Sequence, residues 1–221
     1  MGAGGADMAG RPRSVDDATV LRAAVEVMGR TGPAGLTLAA VAREAGLVAG
    51  TLVQRFGSKR GLLLALAARG GAEFEELRER VCREHRPALD ALAELITSTW
   101  SPMATPASYA NHLAFLCSDL TDPEFRHLAL ASQEAHRGAC HALLGRAADA
   151  GELRPGTDIT ALTETVQAAV TGAGLLWAVD HEGGLAQRQR AALAAVLAPY
   201  RTGAAEPAPY RTGAAHRRDP A

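Results

Sequence analysis

"GLVAGTLVQRFGSK", Gly46 to Lys59, is the stretch on which the fold turns. With Ala42 just upstream it sets Ala42, Gly46 and Leu52 in an A-x3-G-x5-L spacing. Each position has a physical reason. A small residue at 42 lets one helix cross another closely, a glycine at 46 supplies the turn, and Leu52 plugs the angle between the helices. Leu38, Val41, Leu47 and Phe56 stand where they can complete that plug. This is the spacing of a helix-turn-helix, although any helical hairpin with a glycine turn also satisfies it.

Working outward, Ser14 is read as the start of the first helix, with Asp17 in capping-box position. Val20, Leu21, Ala24, Val25 and Met28 trace one apolar face, and Gly32, Pro33 and Gly35 end the helix. Thr37 is the next N-cap candidate, and Gly46 closes that short helix in a left-handed conformation. A third helix runs to about Phe56, and Gly57-Ser58 caps a longer fourth. Gly70-Gly71 in its middle cost about 2 kcal/mol together relative to alanine, which predicts a break or bend there. Further helical segments fall at about 88–100, 107–120, 123–150, 158–181 and 185–200, separated by Pro and Gly punctuation. Alternating β-branched runs are nearly lacking, so the expected class is all-α with about nine helices. The expected organisation is a flexible arm at 1–13, a three-helix domain at 14–60, a larger helical domain at 61–200 and a flexible tail at 201–221. "APYRTGAAEP" at 198–207 and "APYRTGAAHR" at 208–217 are a tandem copy, too short and polar to stack as a solenoid repeat.

The 221 residues carry 48% apolar and 21% charged side chains, the balance of a folded globular chain. Net charge is -1, but residues 1–60 hold eight Lys and Arg against five Asp and Glu, whereas the remainder is acidic. A positive head on a mildly acidic body suits a first segment that meets polyanions. Cys82, Cys117 and Cys140 have neither disulfide-framework nor CxxC spacing, which fits a reducing cytosol. Met1 to Gly10 has no apolar signal-peptide core. The longest uncharged apolar stretch, Thr165 to Val179, is shorter than the ~20 residues of a membrane helix, so no membrane partner is expected. No Gly-rich phosphate loop, nucleophile elbow or paired-carboxylate constellation appears, and the reading is not an enzyme and needs no cofactor.

Val20 to Leu66, "VLRAAVEVMGRTGPAGLTLAAVAREAGLVAGTLVQRFGSKRGLLLAL", resembles the N-terminal domain of the tetracycline-repressor (TetR) family of bacterial transcriptional regulators. The marks are the Gly-x-x-Gly-Leu-Thr entry, Val41-Ala42 with Ala45-Gly46, Gly50-Thr51-Leu52, Phe56, and Ser58-Lys59 followed by leucines. "DLTDPEFRHLA", "AGELRPGTDITAL" and "GLLWAVD" look like the C-terminal regulatory domain of such proteins, which implies ligand binding and homodimerisation. The resemblance implies that the third helix enters the major groove of a double-stranded DNA operator. Thr37 and Lys59 would then grip phosphates, Ala49, Gly50, Thr51 and Gln54 would face bases, and Arg55 the backbone or a guanine edge. Three positions depart from the family pattern. Val48 replaces the usual Ser or Thr cap, Ala49 the frequent basic residue, and Val53 the usual Tyr, leaving methyl contacts to thymine in their place. Six to eight neutralised phosphates per dimer, from Arg55, Lys59, Arg60, Arg11 and Arg13, would give log-log salt slopes of ~-5 to -7.

In the larger domain, Leu162, Val166, Val170 and Ala173, continued by Leu193, Val196 and Leu197, form an apolar stripe that is either core or a dimer bundle. Trp100, Met103, Tyr109, His112, Phe115, Leu116, Cys117, Gln133, His136, Cys140 and Trp177 are the candidates for a pocket holding a small organic effector. His136 and Cys140 share a helix face, but no closed set of four metal ligands is legible. Two readings follow: a ligand-responsive homodimeric repressor, and a dimeric ligand- or protein-binding module with a weakened DNA-binding head.

Overall fold

The computed structural model describes residues 15–84 and 87–203. Ser14, the arm residues Arg11 and Arg13 and the second tandem copy lie outside them. Nine α-helices are present among the described residues: α1 (Asp17–Gly35), α2 (Leu38–Glu44), α3 (Ala49–Phe56), α4 (Lys59–Glu84), α5 (Ala88–Thr99), α6 (Pro106–Asp119), α7 (Pro123–Asp149), α8 (Ile159–Asp180) and α9 (Leu185–Leu197). A 3-10 turn, Ala198–Tyr200, follows.

The first helix starts later than its sequence pattern places it. Asp16 is its cap, the carboxylate accepting from the Thr19 amide at 2.8 Å, because Asp17 is already helical. At the other end Gly32 adopts φ +68°, which interrupts the helix before Pro33. Thr37 caps α2 by accepting from the Ala40 amide at 3.1 Å. The α2–α3 turn is a Schellman motif: Gly46 sits at φ +67°, the Leu47 amide donates to the Ala42 carbonyl and the Gly46 amide to that of Arg43. Val20, Val41, Ala42, Leu52 and Leu62 are buried in the resulting core. Gly61 lets the start of α4 pass close to the end of α3, since a Cβ there would collide with the Phe56 carbonyl.

The expected break at Gly70-Gly71 does not occur; α4 is one helix of 26 residues. Leu62, Leu63, Phe74 and Val81 anchor it on both sides of the glycines, and tertiary packing of that kind outweighs a local propensity cost of about 2 kcal/mol. The helix therefore runs through the expected boundary at residue 60. In the larger domain, α8 packs along α9, and α4, α5 and α7 pack against one another. A second Schellman turn at Gly151 aims Glu152 at the uncapped start of α5, where its carboxylate accepts from the amides of Ala88 and Leu89 at 2.7 and 3.1 Å. Residues 201–203, expected in the tail, pack on the larger domain, where Thr202 donates its amide to Glu152 and its hydroxyl to Gly151; residues 204–221 lie outside the described residues. The first tandem copy is thus partly built into the domain.

The head is not a separate body. Helix α6 lies along α1, with Asn111 donating to the Gly29 carbonyl at 2.8 Å. Phe115 of α6 and Phe125 of α7 insert into the head's own core, edge to face at 6.0 Å. Arg60 at the start of α4 closes the same junction: it pairs with Asp122 and Glu124 at 2.9 and 2.8 Å and lies 5.5 Å from the Phe125 ring centre.

Candidate nucleic-acid interface and ligand cavity

Helix α3 buries Leu52 fully and packs half-buried Phe56 on the head core, while most of its remaining surface faces outward. Val48 and Val53 are 74% and 52% exposed; Ala49, Gly50 and Gln54 are exposed and Thr51 half-buried. Val48 occupies the N-cap and makes no side-chain cap bond, as the departure from the family pattern implied. The exposed reading face carries no charge. Thr37 uses an oxygen lone pair for its cap, so the hydroxyl proton stays available to an external acceptor.

The basic residues around this face are tied down within the chain. Arg55 donates to the Val15 carbonyl at 2.6 Å and approaches Asp17 at 3.3 Å, fixing the start of α1. Lys59 donates to the carbonyls of Pro33 and Ala34 at 2.5 and 3.3 Å, which locks the end of α1 and sets the ammonium near the start of α2. Arg60 is held by the two carboxylates of the α7 start.

Beneath the head lies a cavity of about 500 Å3, walled by α1, α4, α6, α7 and the α5–α6 turn. Trp100, Met103, His112, Phe115, Leu116 and His136 line it as expected from sequence. Gln133 and Cys140 line a smaller chamber of about 90 Å3 that shares Phe74, Thr99, Trp100 and His136 with the larger one. Tyr109 and Trp177 do not line either. They belong to a separate buried cluster with Leu185, in which the Tyr109 hydroxyl abuts Gly174 and the Trp177 indole donates to the Gly183 carbonyl. Cys117 is exposed and lines neither chamber. Val25 and Met28 of the head, and Leu66, Gly70, Phe74 and Leu77 of α4, are walls that sequence reasoning missed. On α4 they share one face at helical spacing, but that pattern also describes packing against core.

Glu73, Glu76 and Arg80 of α4 bring charged side chains to the wall of the larger cavity, beside the two imidazoles. Burial holds the imidazoles of His112 and His136 below their usual 6.5, and His136 meets Phe74 edge to face at 3.9 Å. Burial pushes the Cys140 thiol up to about 12. Among the described residues no group of three or more His, Cys, Asp or Glu is placed to hold a metal ion.

The stripe assigned to dimerisation is largely interior. Leu162, Val166, Val170, Leu193 and Leu197 are buried in the chain's own core, and Ala173 and Val196 are half-buried. An apolar periodicity marks the side of a helix that must be covered, and here this chain's α5 and α7 cover it. The outward face of α8 instead exposes Leu175, Leu176 and Val179 at 51%, 60% and 73%.

Two family profiles match. "Bacterial regulatory proteins, tetR family" covers residues 20–66, and "BetI-type transcriptional repressor, C-terminal" covers residues 85–200, more than half of the chain. The chain belongs to the TetR family of transcriptional regulators. Solved structures share its fold. FadR of Bacillus subtilis, determined in complex with stearoyl-CoA, is 20% identical, with 82% of this chain and 97% of that one covered at a TM-score of 0.62. SmeT, the repressor of the Stenotrophomonas maltophilia multidrug efflux pump SmeDEF, is 22% identical over 86% and 92% at a TM-score of 0.63. The ketosteroid transcriptional regulator KstR2 of Mycobacterium tuberculosis is 17% identical over 88% and 99% at a TM-score of 0.58. No protein of curated function matches by sequence. Among the described residues no helix of this TetR-family chain is long and apolar enough to cross a membrane.

Proposed function

We propose that this TetR-family regulator is a cytoplasmic homodimeric repressor that binds a palindromic operator and leaves it when a small organic effector fills the cavity beneath the head. The observation that carries the reading is α3 with its N-cap, which commits Leu52, Phe56 and Arg55 to the fold and leaves Val48, Ala49, Gly50, Val53 and Gln54 exposed. Apolar side chains held in solvent on a short helix have no use within the chain. In a major groove, Val48, Ala49 and Val53 meet thymine methyls, while Gln54 and Thr51 reach base edges. Thr37 donates to one phosphate, and the Lys59 charge and its remaining donor face another.

A palindrome requires two heads. The covering for Leu175, Leu176 and Val179 is the same face of a second copy, where exposed Ala168, Ala191 and Ala194 permit close helix approach. The effector acts on both sides of the junction at once, because the cavity touches Val25 and Met28 of α1 as well as Phe115, which is part of the head's core. A filled cavity shifts α6 and α4 against α1 and changes the spacing of the two heads.

A second reading keeps the dimer and the ligand but discards the operator. The bonds that hold Arg55, Lys59 and Arg60 inside the chain favour it, since each tethered cation is one less for phosphate. Gel shift on DNA flanking the chain's own gene, with excess nonspecific competitor, separates them. The repressor reading expects a competitor-resistant complex at low salt. Loss of every complex to competitor supports the module with a weakened head.

A further inference from the structure

Gly70 weakens α4 relative to alanine, and nothing in the helix itself asks for it. The helix neither breaks nor leaves helical geometry there, and Gly70 is not among the residues at positive φ. A Cβ built on Gly70 would meet no neighbouring atom within 4 Å, so close packing does not demand it either. Its position supplies the reason. Leu66, Gly70, Phe74 and Leu77 follow one another at i, i+4, i+8 and i+11 on one face of α4, and all four line the 500 Å3 cavity. Gly70 is accessible because its bare Cα fronts that open space.

We propose that Gly70 sets the size of molecule the cavity admits: any side chain at 70 projects between Leu66 and Phe74 into the space a large apolar effector occupies. The inference rests on the reading of this cavity as the effector site. It assigns the adjacent Gly71 no such role, because that residue lines neither chamber although it is equally free of close neighbours. Glu73, one turn on, also lines the cavity, and Trp100, Met103 and Phe115 supply large apolar walls from other elements, so a substituent at 70 removes volume from a site that is mostly apolar.

Nile red, an uncharged apolar dye, probes the cavity, and 1-octanol serves as a smaller occupant. The parent chain and G70A, G70L and G71A variants are titrated with the dye, with circular dichroism confirming the helical fold. Expected is a graded loss of dye affinity, a few-fold in G70A and more than tenfold in G70L, with G71A unchanged. Octanol should still raise the melting temperature of G70L. Parent-like dye binding by a folded G70L overturns the role of Gly70 alone. If G70L does not fold, G70A decides, and affinity equal to that of the parent overturns the proposal. A parent chain that binds no dye overturns the cavity reading and this inference with it.

Discussion

The α3 region and helix α8 both leave large apolar side chains in solvent, and they do so in different ways. Helix α3 and its N-cap present two valines, Val48 and Val53, separated by more than a turn and set among Ala49, Gly50 and Gln54. Helix α8 presents Leu175, Leu176 and Val179 within about one turn, beside small residues of the same face. Scattered methyl groups among polar atoms suit a partner whose own surface alternates between methyl and hydrogen-bonding groups, as the major groove does. A continuous leucine and valine patch suits a partner that is itself apolar, and a second copy offers that. Exposed hydrophobicity is thus informative through its grain as well as its amount.

The comparison breaks most visibly on α8. Glutamates at 175 and 179 would be buried without partners in a dimer, at a cost of several kcal/mol, yet they lie in solvent in a single chain. The L175E/V179E variant should keep its helical content, sediment as a monomer and lose operator affinity by ~100-fold or more. A variant that still sediments as a dimer would place the interface elsewhere. On α3 the expected effect is smaller and changes sequence preference. Q54A should cost ~1–3 kcal/mol at the base pair it reads while leaving the oligomeric state untouched, as a binding-site selection would register.

The contribution of charge to the α3 side is sharpened by releasing Arg60. D122N/E124Q keeps an N-capping side chain on α7 but removes both carboxylates that hold the guanidinium. If Arg60 then reaches phosphate, the log-log salt slope of operator binding steepens by about one per head. An unchanged slope shows that the α3 side works without it. The smallest effect is set by pH and should spare both faces. The half-buried imidazoles of His112 and His136 have folded pKa values below the unfolded 6.5, so the unfolded chain binds more protons in that window. Stability is full above pH 6.5 and falls as pH drops below it. Melting should therefore come several degrees earlier at pH 5.5 than at pH 7.5, and H136Q should flatten the dependence. Equal melting temperatures at the two pH values would contradict the burial of neutral imidazoles.

The head was legible because its signals are local. Thr37 as cap, Gly46 in the turn and Leu52 as plug act within a few residues of one another, and the structure places all three as read. Family resemblance over Val20 to Leu66 supplied the rest of that reading. The larger domain was legible as helices but not as surfaces. Leu162 and Val166 read as an apolar face, and periodicity does not say that the chain itself covers them. The cavity was read from one side only, through Trp100 and His112, because a void is bounded by elements far apart in sequence, and Val25 and Leu66 looked like ordinary core. The bonds that tether Arg55 and Arg60 span 40 and 62 residues, a separation at which no pattern of spacing operates. Gly70-Gly71 misled for a related reason: propensity is local, and Leu62, Leu63, Phe74 and Val81 hold α4 straight through from outside.

The central claim is that a nearly uncharged α3 still reads sequence, in pairs. Repeated selection of bound duplexes from a random DNA pool, at moderate salt, tests it most directly. The expected result is an enriched inverted repeat with thymine-rich half-sites about one helical turn or more apart, altered in sequence but not in spacing by Q54A. A folded, dimeric chain that enriches no motif would contradict it.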